Sequence, residues 1–403
     1  MNDFTMVNLM NDLSRMIHEK YTLRKIAKLS TVDRKTITRA LECKNKYEMK
    51  LDLYLKVIKV LCEKPEDKRD MINKFISLVS GPLNIRKAFC YLLVSGEYEL
   101  IDLLIEKHKD DNRLNNYISM FSLLNQRNKN VIKGNQVINE INNLRISSND
   151  SEYQALLNLL YMVAMYDENK NNAVIHFGNE ALRFIQEIEQ EYIREILYLL
   201  YKERIAYVYL LSDEIDKCRE LCHSVIDSEF DVPMVKAVLM GCLGESYLYE
   251  NLLLAEQYIE DALSRLKDIN VPKKSQKFFA FKTTLAFMYI ENNFNIQKID
   301  FEYIHDAELA NYECLYGDRE KGLEIFRVLE QNGFSAHQLY SYSKIMGDIE
   351  GLRQALLAFE RSGNLFYTKG VKRALMKDEV ETIEKDFSNV ITSSNNHLTN
   401  STR

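Results

Sequence analysis

Arg34, Lys35, Thr36, Thr38 and Arg39 crowd into one short stretch, and their side chains are those that read double-stranded DNA. Guanidinium and ammonium groups reach guanine edges and phosphates, and hydroxyls serve either, when a helix presents them to a major groove. A second cluster with chemical potential is Cys218, Cys222 and His223, where i and i+4 share one helix face. Both cysteines, however, fall at packing positions of a helical repeat described below, which reads as buried structural thiol. The remaining histidines (His18, His108, His176, His305, His337, His397) stand apart in sequence. There is no HExxH, no phosphate-cradling glycine loop and no distinct carboxylate pair. The expectation is therefore no catalytic residue, no metal and no cofactor.

The basic residues need a frame, and the sequence around them supplies one. Leu23, Ile26, Ala27 and Leu29 mark the apolar face of a short helix, Val32 follows a turn, and Ile37, Ala40 and Leu41 continue the face on a second helix. Asp33 is placed to cap that second helix. Residues 1–60 carry a net charge of +6, so with −6 overall the remainder carries −12. Such a basic head is drawn to a polyanion that the acidic body avoids.

The body is all-α by composition: 13 Gly, 4 Pro and no Trp leave little of the punctuation that strands and hairpins need. The seven cysteines (Cys43, Cys62, Cys90, Cys218, Cys222, Cys242, Cys314) include no CxxC, and no leader or long apolar run is present, which predicts a cytoplasmic protein without a membrane span. Downstream of Ser151 a two-helix pattern recurs. Ala206 and Tyr209 on one helix precede Cys218, Cys222 and Val225 on the next; Gly244 and Tyr247 precede Ala255, Ile259 and Ala262. Weaker copies stand at Ala173/Phe177/Ala181, at Ala310 with Gly322/Phe326/Leu329, and at Tyr340 with Leu352/Leu356/Phe359. This is tetratricopeptide spacing, in which each unit buries its apolar face on the next and the stack curves around a groove. In that frame Glu203, Tyr207, Glu245, Lys282 and Tyr289 are groove-facing, offering carboxylates and an ammonium to a zwitterionic peptide with a basic residue. The predicted organisation is a helix-turn-helix domain at 1–64, a helical connector at 65–150, a tetratricopeptide-like α-solenoid at 151–387 and a disordered tail at 388–403.

The head resembles the N-terminal helix-turn-helix of repressor-type phage and bacterial regulators, on Ile26-Ala27 and Val32-Asp33-Arg34-Lys35-Thr36-Ile37. It departs from them at Thr31, where glycine is usual and a positive φ costs strain. The whole chain resembles the arbitrium peptide receptors (AimR type) of Bacillus phages, on DEIDKCRELCHSVID, GESYLYENLLLAEQYIEDAL and ERSGNLF. That resemblance implies a homodimer, a signalling peptide of about six residues in the superhelix, and activation switched off by peptide in the lysis–lysogeny decision. It also adds Asn364 and Phe366 as peptide contacts, while the family's groove asparagines align here with Tyr207, Leu211 and Glu245, and its arginine near Met234 and Lys236. The alternatives are a plasmid or chromosomal peptide quorum-sensing repressor, and a helical scaffold that binds proteins without DNA.

Overall fold

A computed structural model describes residues 4–42, 47–144 and 149–377. Cys43, His397 and the predicted tail at 388–403 lie outside the described residues, as do the centre of the predicted loop near 147 and the end of the predicted repeat domain. Among the described residues the regular structure is helical, in α1 to α20, two 3-10 turns and a further helical stretch at 368–377, and no helix is long and apolar enough to cross a membrane.

The head comprises α1 (Met6–Lys20), α2 (Leu23–Ser30), α3 (Arg34–Glu42) and α4 (Leu51–Leu61), and α5 (Pro65–Leu78), the start of the expected connector, packs on α1 and α4. Thr22 Oγ1 caps α2 through the Lys25 amide at 3.2 Å, and Asp33 Oδ2 caps α3 through the Thr36 amide at 3.2 Å. Between them Thr31 adopts φ 55°, the left-handed turn that the sequence demanded of a non-glycine residue. Its hydroxyl donates to the Ser30 carbonyl at 2.7 Å. Ile26, Val32, Ile37, Ala40 and Leu41 are buried and Leu23 and Ala27 half-buried along the apolar face, but Leu29, expected on it, is exposed at the end of α2.

The body continues with α6 (Pro82–Ser95), α7 (Tyr98–His108), α8 (Asn115–Asn128) and α9 (Asn135–Asn143). It is followed by α10 (Ser151–Asp167), α11 (Asn171–Glu187), α12 (Glu191–Leu211), α13 (Ile215–Ile226), α14 (Pro233–Glu245) and α15 (Leu252–Asp268). Next come α16 (Gln276–Asn292), 3-10 turns at Ile296–Lys298 and Phe301–Tyr303, α17 (Asp306–Tyr316), α18 (Arg319–Glu330), α19 (Ala336–Met346) and α20 (Ile349–Ser362). The pairs α10/α11, α12/α13, α14/α15, α17/α18 and α19/α20 are the repeat units. Close approach within a pair is set by small residues: a Cβ on Gly244 would stand 2.7 Å from Ile259 Cγ1 and 3.0 Å from the Ala255 carbonyl oxygen.

Residues 82–143, within the expected connector, merge into the superhelix. Helix α6 is buried along most of its length, packing on α12 and α14, and α8 touches α16. The same helix bolts the head in place. Asn84 accepts from the Leu51 amide at 2.9 Å and donates to the Met49 carbonyl at 2.9 Å, Glu48 binds the amide of Ser80 at 2.8 Å, and Lys87 pairs with Asp52 at 2.5 Å.

The last repeat lies at the superhelix end, where a terminal unit lacks a stacking neighbour; there Leu352, Phe359 and Phe366 are buried and Leu356 is half-buried. Beyond α20 the chain folds back across the superhelix, where the amides of Leu365 and Phe366 donate to the Leu211 carbonyl at 2.6 and 3.1 Å. Lys369 pairs with Asp213, and Arg373 donates to the Tyr249 carbonyl at 2.9 Å. The return covers part of the last repeat, stacking Tyr367 on Phe359 at 6.2 Å between centroids, while Leu357 stays exposed.

Candidate DNA-reading helix and peptide cavity

On α3 the predicted DNA contacts form one outward surface. Arg34, Lys35 and Arg39 are exposed and Thr36 and Thr38 half-buried, opposite buried Ile37, Ala40 and Leu41. The Arg39 guanidinium lies 5.5 Å from the centre of the Tyr47 ring, a cation–π contact that supports the side chain.

The superhelix encloses a cavity of about 380 Å³. Helix α16 forms one wall with Gln276, Lys277, Ala280, Thr283, Thr284 and Phe287, a face of 3.6 periodicity. Tyr166 and Asp167 at the end of α10, Tyr207 and Leu211 of α12 and Glu245 of α14 also line the cavity. The rim carries His305 and Glu308 at the start of α17, His337 of α19, and the returning segment through Asn364 and Tyr367.

Charge in this cavity is organised in layers. Fully buried Arg127 holds Asp167 through Nε–Oδ2 at 3.1 Å and Nη2–Oδ1 at 2.6 Å. Burial pushes the Asp167 carboxyl upward, but Arg127 outweighs it and holds the group below the usual range. Beneath the wall, Glu203 pairs with Arg204 at 3.0 Å and with Lys277 at 3.7 Å. Burial, reinforced by the Arg204 charge, lowers Lys277 to about 7, and its ammonium sits 5.0 Å from the Tyr207 ring centre. Burial raises Glu245 to about 7 even though the Tyr367 hydroxyl donates to it. It raises Glu308 to about 8, and lowers His337 to about 4 where that ring packs on Tyr367 and Phe359. Glu308 Oε2 and Gln276 Oε1 have no hydrogen-bond partner among the described residues. Gln276 offers the cavity an acceptor, and Glu308, protonated near neutral pH, becomes one when a cationic ligand draws off its proton.

Of the expected peptide contacts, Tyr207, Glu245 and Asn364 are brought together on the cavity wall. Glu203 lies one layer deeper, lining a cavity of about 40 Å³ with Arg204 and Lys277. Lys282 and Tyr289 are outside. Lys282 faces Asp300 at 3.7 Å, and Tyr289 donates to Glu256 at 2.7 Å. The physical reason is helical phase: seven residues apart, Lys282 and Tyr289 share the face of α16 turned away from the lining residues Lys277, Ala280, Thr284 and Phe287. Phe366 is buried against Tyr249 beside the cavity and does not line it. Met234 lines the smaller cavity, and Lys236 is bound to the Ser228 carbonyl. Sequence reasoning missed Lys277, Asp167, Glu308 and Tyr367. Only Lys277 left a trace, through the i, i+3, i+7 spacing of Lys277, Ala280 and Thr284.

Residues 67–377 match the family model described as AimR transcriptional regulator-like. An uncharacterized protein of Bacillus anthracis, pXO2-35, is 28% identical over 230 residues, 56% of this chain and 84% of that protein. Among solved structures, phAimR-Ligand superposes with TM-score 0.70 at 16% identity over 80% of this chain and 96% of its own. SeMet-phAimR superposes with TM-score 0.56 at 15% identity over 92% and 96%. These two likenesses show the fold.

Proposed function

Because the chain belongs to the family of AimR-like transcriptional regulators, we propose that it is a DNA-binding regulator whose operator occupancy is set by a short peptide in the superhelical cavity. The observation that carries this reading is the cavity itself, with two unpartnered oxygens, Glu308 Oε2 and Gln276 Oε1, and a lining that includes Asp167 and Glu245. A peptide supplies what is missing: backbone N–H groups for Gln276 and a basic side chain or amino terminus for Glu308, with Lys277 for its carboxylate. Arg34, Lys35, Thr36, Thr38 and Arg39 read the operator.

The route between the two sites runs through α14 and α6. Glu245 ends α14, α14 packs on α6, and α6 holds the head through Asn84 and Lys87. A ligand shifts the head only by as much as it binds one arrangement better than the other, and coupling of about 1–3 kcal/mol changes affinity about 5- to 150-fold. Two heads on a two-fold operator make the working species a homodimer. In this reading, peptide releases the operator, transcription activation stops, and a phage carrying the regulator turns to lysogeny.

The test is calorimetry with peptides encoded beside the gene, joined to an electrophoretic shift assay with operator DNA. The expected result is stoichiometric binding and weakened DNA retention on adding peptide. Failure of every such peptide to bind would overturn the sensor reading.

A further inference from the structure

Sequence spacing brought Cys218 and Cys222 onto one face of α13, and the fold adds a third thiol from the next helix. Cys242 of α14 sits with its Sγ 3.6 Å from that of Cys218, and all three sulfurs lie within 4.8 Å of one another. All three residues are buried. In the following unit the positions matching Cys218 and Cys222 hold Ala255 and Ile259, so packing alone does not call for sulfur at both. His223 takes no part: it is half exposed and turned toward Asp227 at 3.6 Å.

We propose that Cys218, Cys222 and Cys242 form a three-sulfur site for a soft, thiophilic metal ion of the copper(I) class. A metal–sulfur bond of about 2.3 Å around a planar three-coordinate ion separates its sulfurs by about 4 Å, which the cluster matches with small side-chain adjustments. Thiolates select soft ions over hard ones. Among the described residues no histidine or carboxylate joins the three sulfurs, so the set favours an ion content with three donors over one that needs four. Binding converts thiols to thiolates and releases their protons to solvent, with no change of oxidation state. The two cysteine-bearing helices are thereby cross-linked one turn from Glu245 at the cavity wall.

The experiment is an anaerobic titration of the full chain, kept reduced, with copper(I) against a chromophoric chelator. Sulfur-to-copper charge-transfer absorption and X-ray absorption report on the ligands. One equivalent per chain with three sulfur scatterers is expected. Cys242→Ala should lower the affinity by more than about a hundredfold, above the cost of losing an outer hydrogen bond to a ligand. Cys90→Ala, at a buried thiol elsewhere, should leave it unchanged. Equal binding by wild type and Cys242→Ala, or no stoichiometric binding by wild type, would overturn the site. If Cys242→Ala does not fold, the wild-type sulfur count decides: fewer than three sulfurs refutes the proposal.

Discussion

Tyr367 donates its phenolic hydrogen to Glu245 across 122 positions of sequence, tying the returning C-terminal segment to the wall of the cavity. The ring is held by His337 at 4.5 Å and Phe287 at 5.8 Å between centroids, so the hydroxyl has one direction in which to point. Glu245 would otherwise be a buried carboxyl without a donor. Tyr367→Phe keeps the ring packing and removes the donor, and should cost about 1–3 kcal/mol of stability in urea unfolding. An unchanged midpoint would mean that the hydrogen bond contributes nothing net.

Operator binding should separate from stability. Arg34 and Arg39 are exposed, so Arg34→Ala with Arg39→Ala should leave thermal unfolding within about 0.5 kcal/mol of wild type. DNA affinity should fall by about 1–3 kcal/mol for each arginine that pairs bidentately with a guanine. Wild-type retention in the shift assay would remove α3 from the interface.

The cavity carboxyls make stability depend on pH. Glu308 rises from 4.5 to about 8 in the folded protein, so its contribution is full below 4.5 and is lost as pH climbs through about 8. Lys277, lowered from 10.5 to about 7, acts oppositely: its contribution is full above 10.5 and lost as pH falls through about 7. Glu308→Gln should therefore raise the melting temperature at pH 8 relative to wild type and do little at pH 4. The same variant should weaken a peptide that carries a cation, and should flatten the rise in its affinity between pH 6 and 8. A melting difference that does not vary with pH would refute the burial account.

Gly244→Ala tests the repeat packing directly. Its new methyl would meet Ile259 and the Ala255 carbonyl at 3.0 Å or less, and forcing α14 from α15 should cost about 1–3 kcal/mol. Chemical denaturation that finds this variant as stable as wild type would show that the helices can part freely.

For the homodimer, deleting residues 340–403 is uninformative, because it removes Asn364 and Tyr367 from the cavity along with any partner surface. Light scattering on the intact chain is the appropriate measurement. A dimer of the 47.3 kDa chain is expected, and a monomer at concentrations where DNA is bound would exclude two-headed binding.

The head was legible because its determinants are local. Apolar residues at i, i+3 and i+4, Asp33 at a cap and Thr31 at the turn all act within a few residues, so sequence alone decided which face of α3 is buried and which side chains remain outside. The all-α class and the repeat pairs followed for the same reason, from small residues such as Gly244 and Ala255 at fixed spacing. Tertiary structure decided the cavity. Asp167 depends on Arg127, Glu245 on Tyr367, and Cys218 on Cys242, partners 40, 122 and 24 residues away. Lys282 and Tyr289 carried the right chemistry but sit on the face of α16 turned away from the cavity, which is lined instead by Lys277, Ala280, Thr284 and Phe287. Periodicity states which face of a helix is apolar; only the packed superhelix determines which polar groups are left facing one another.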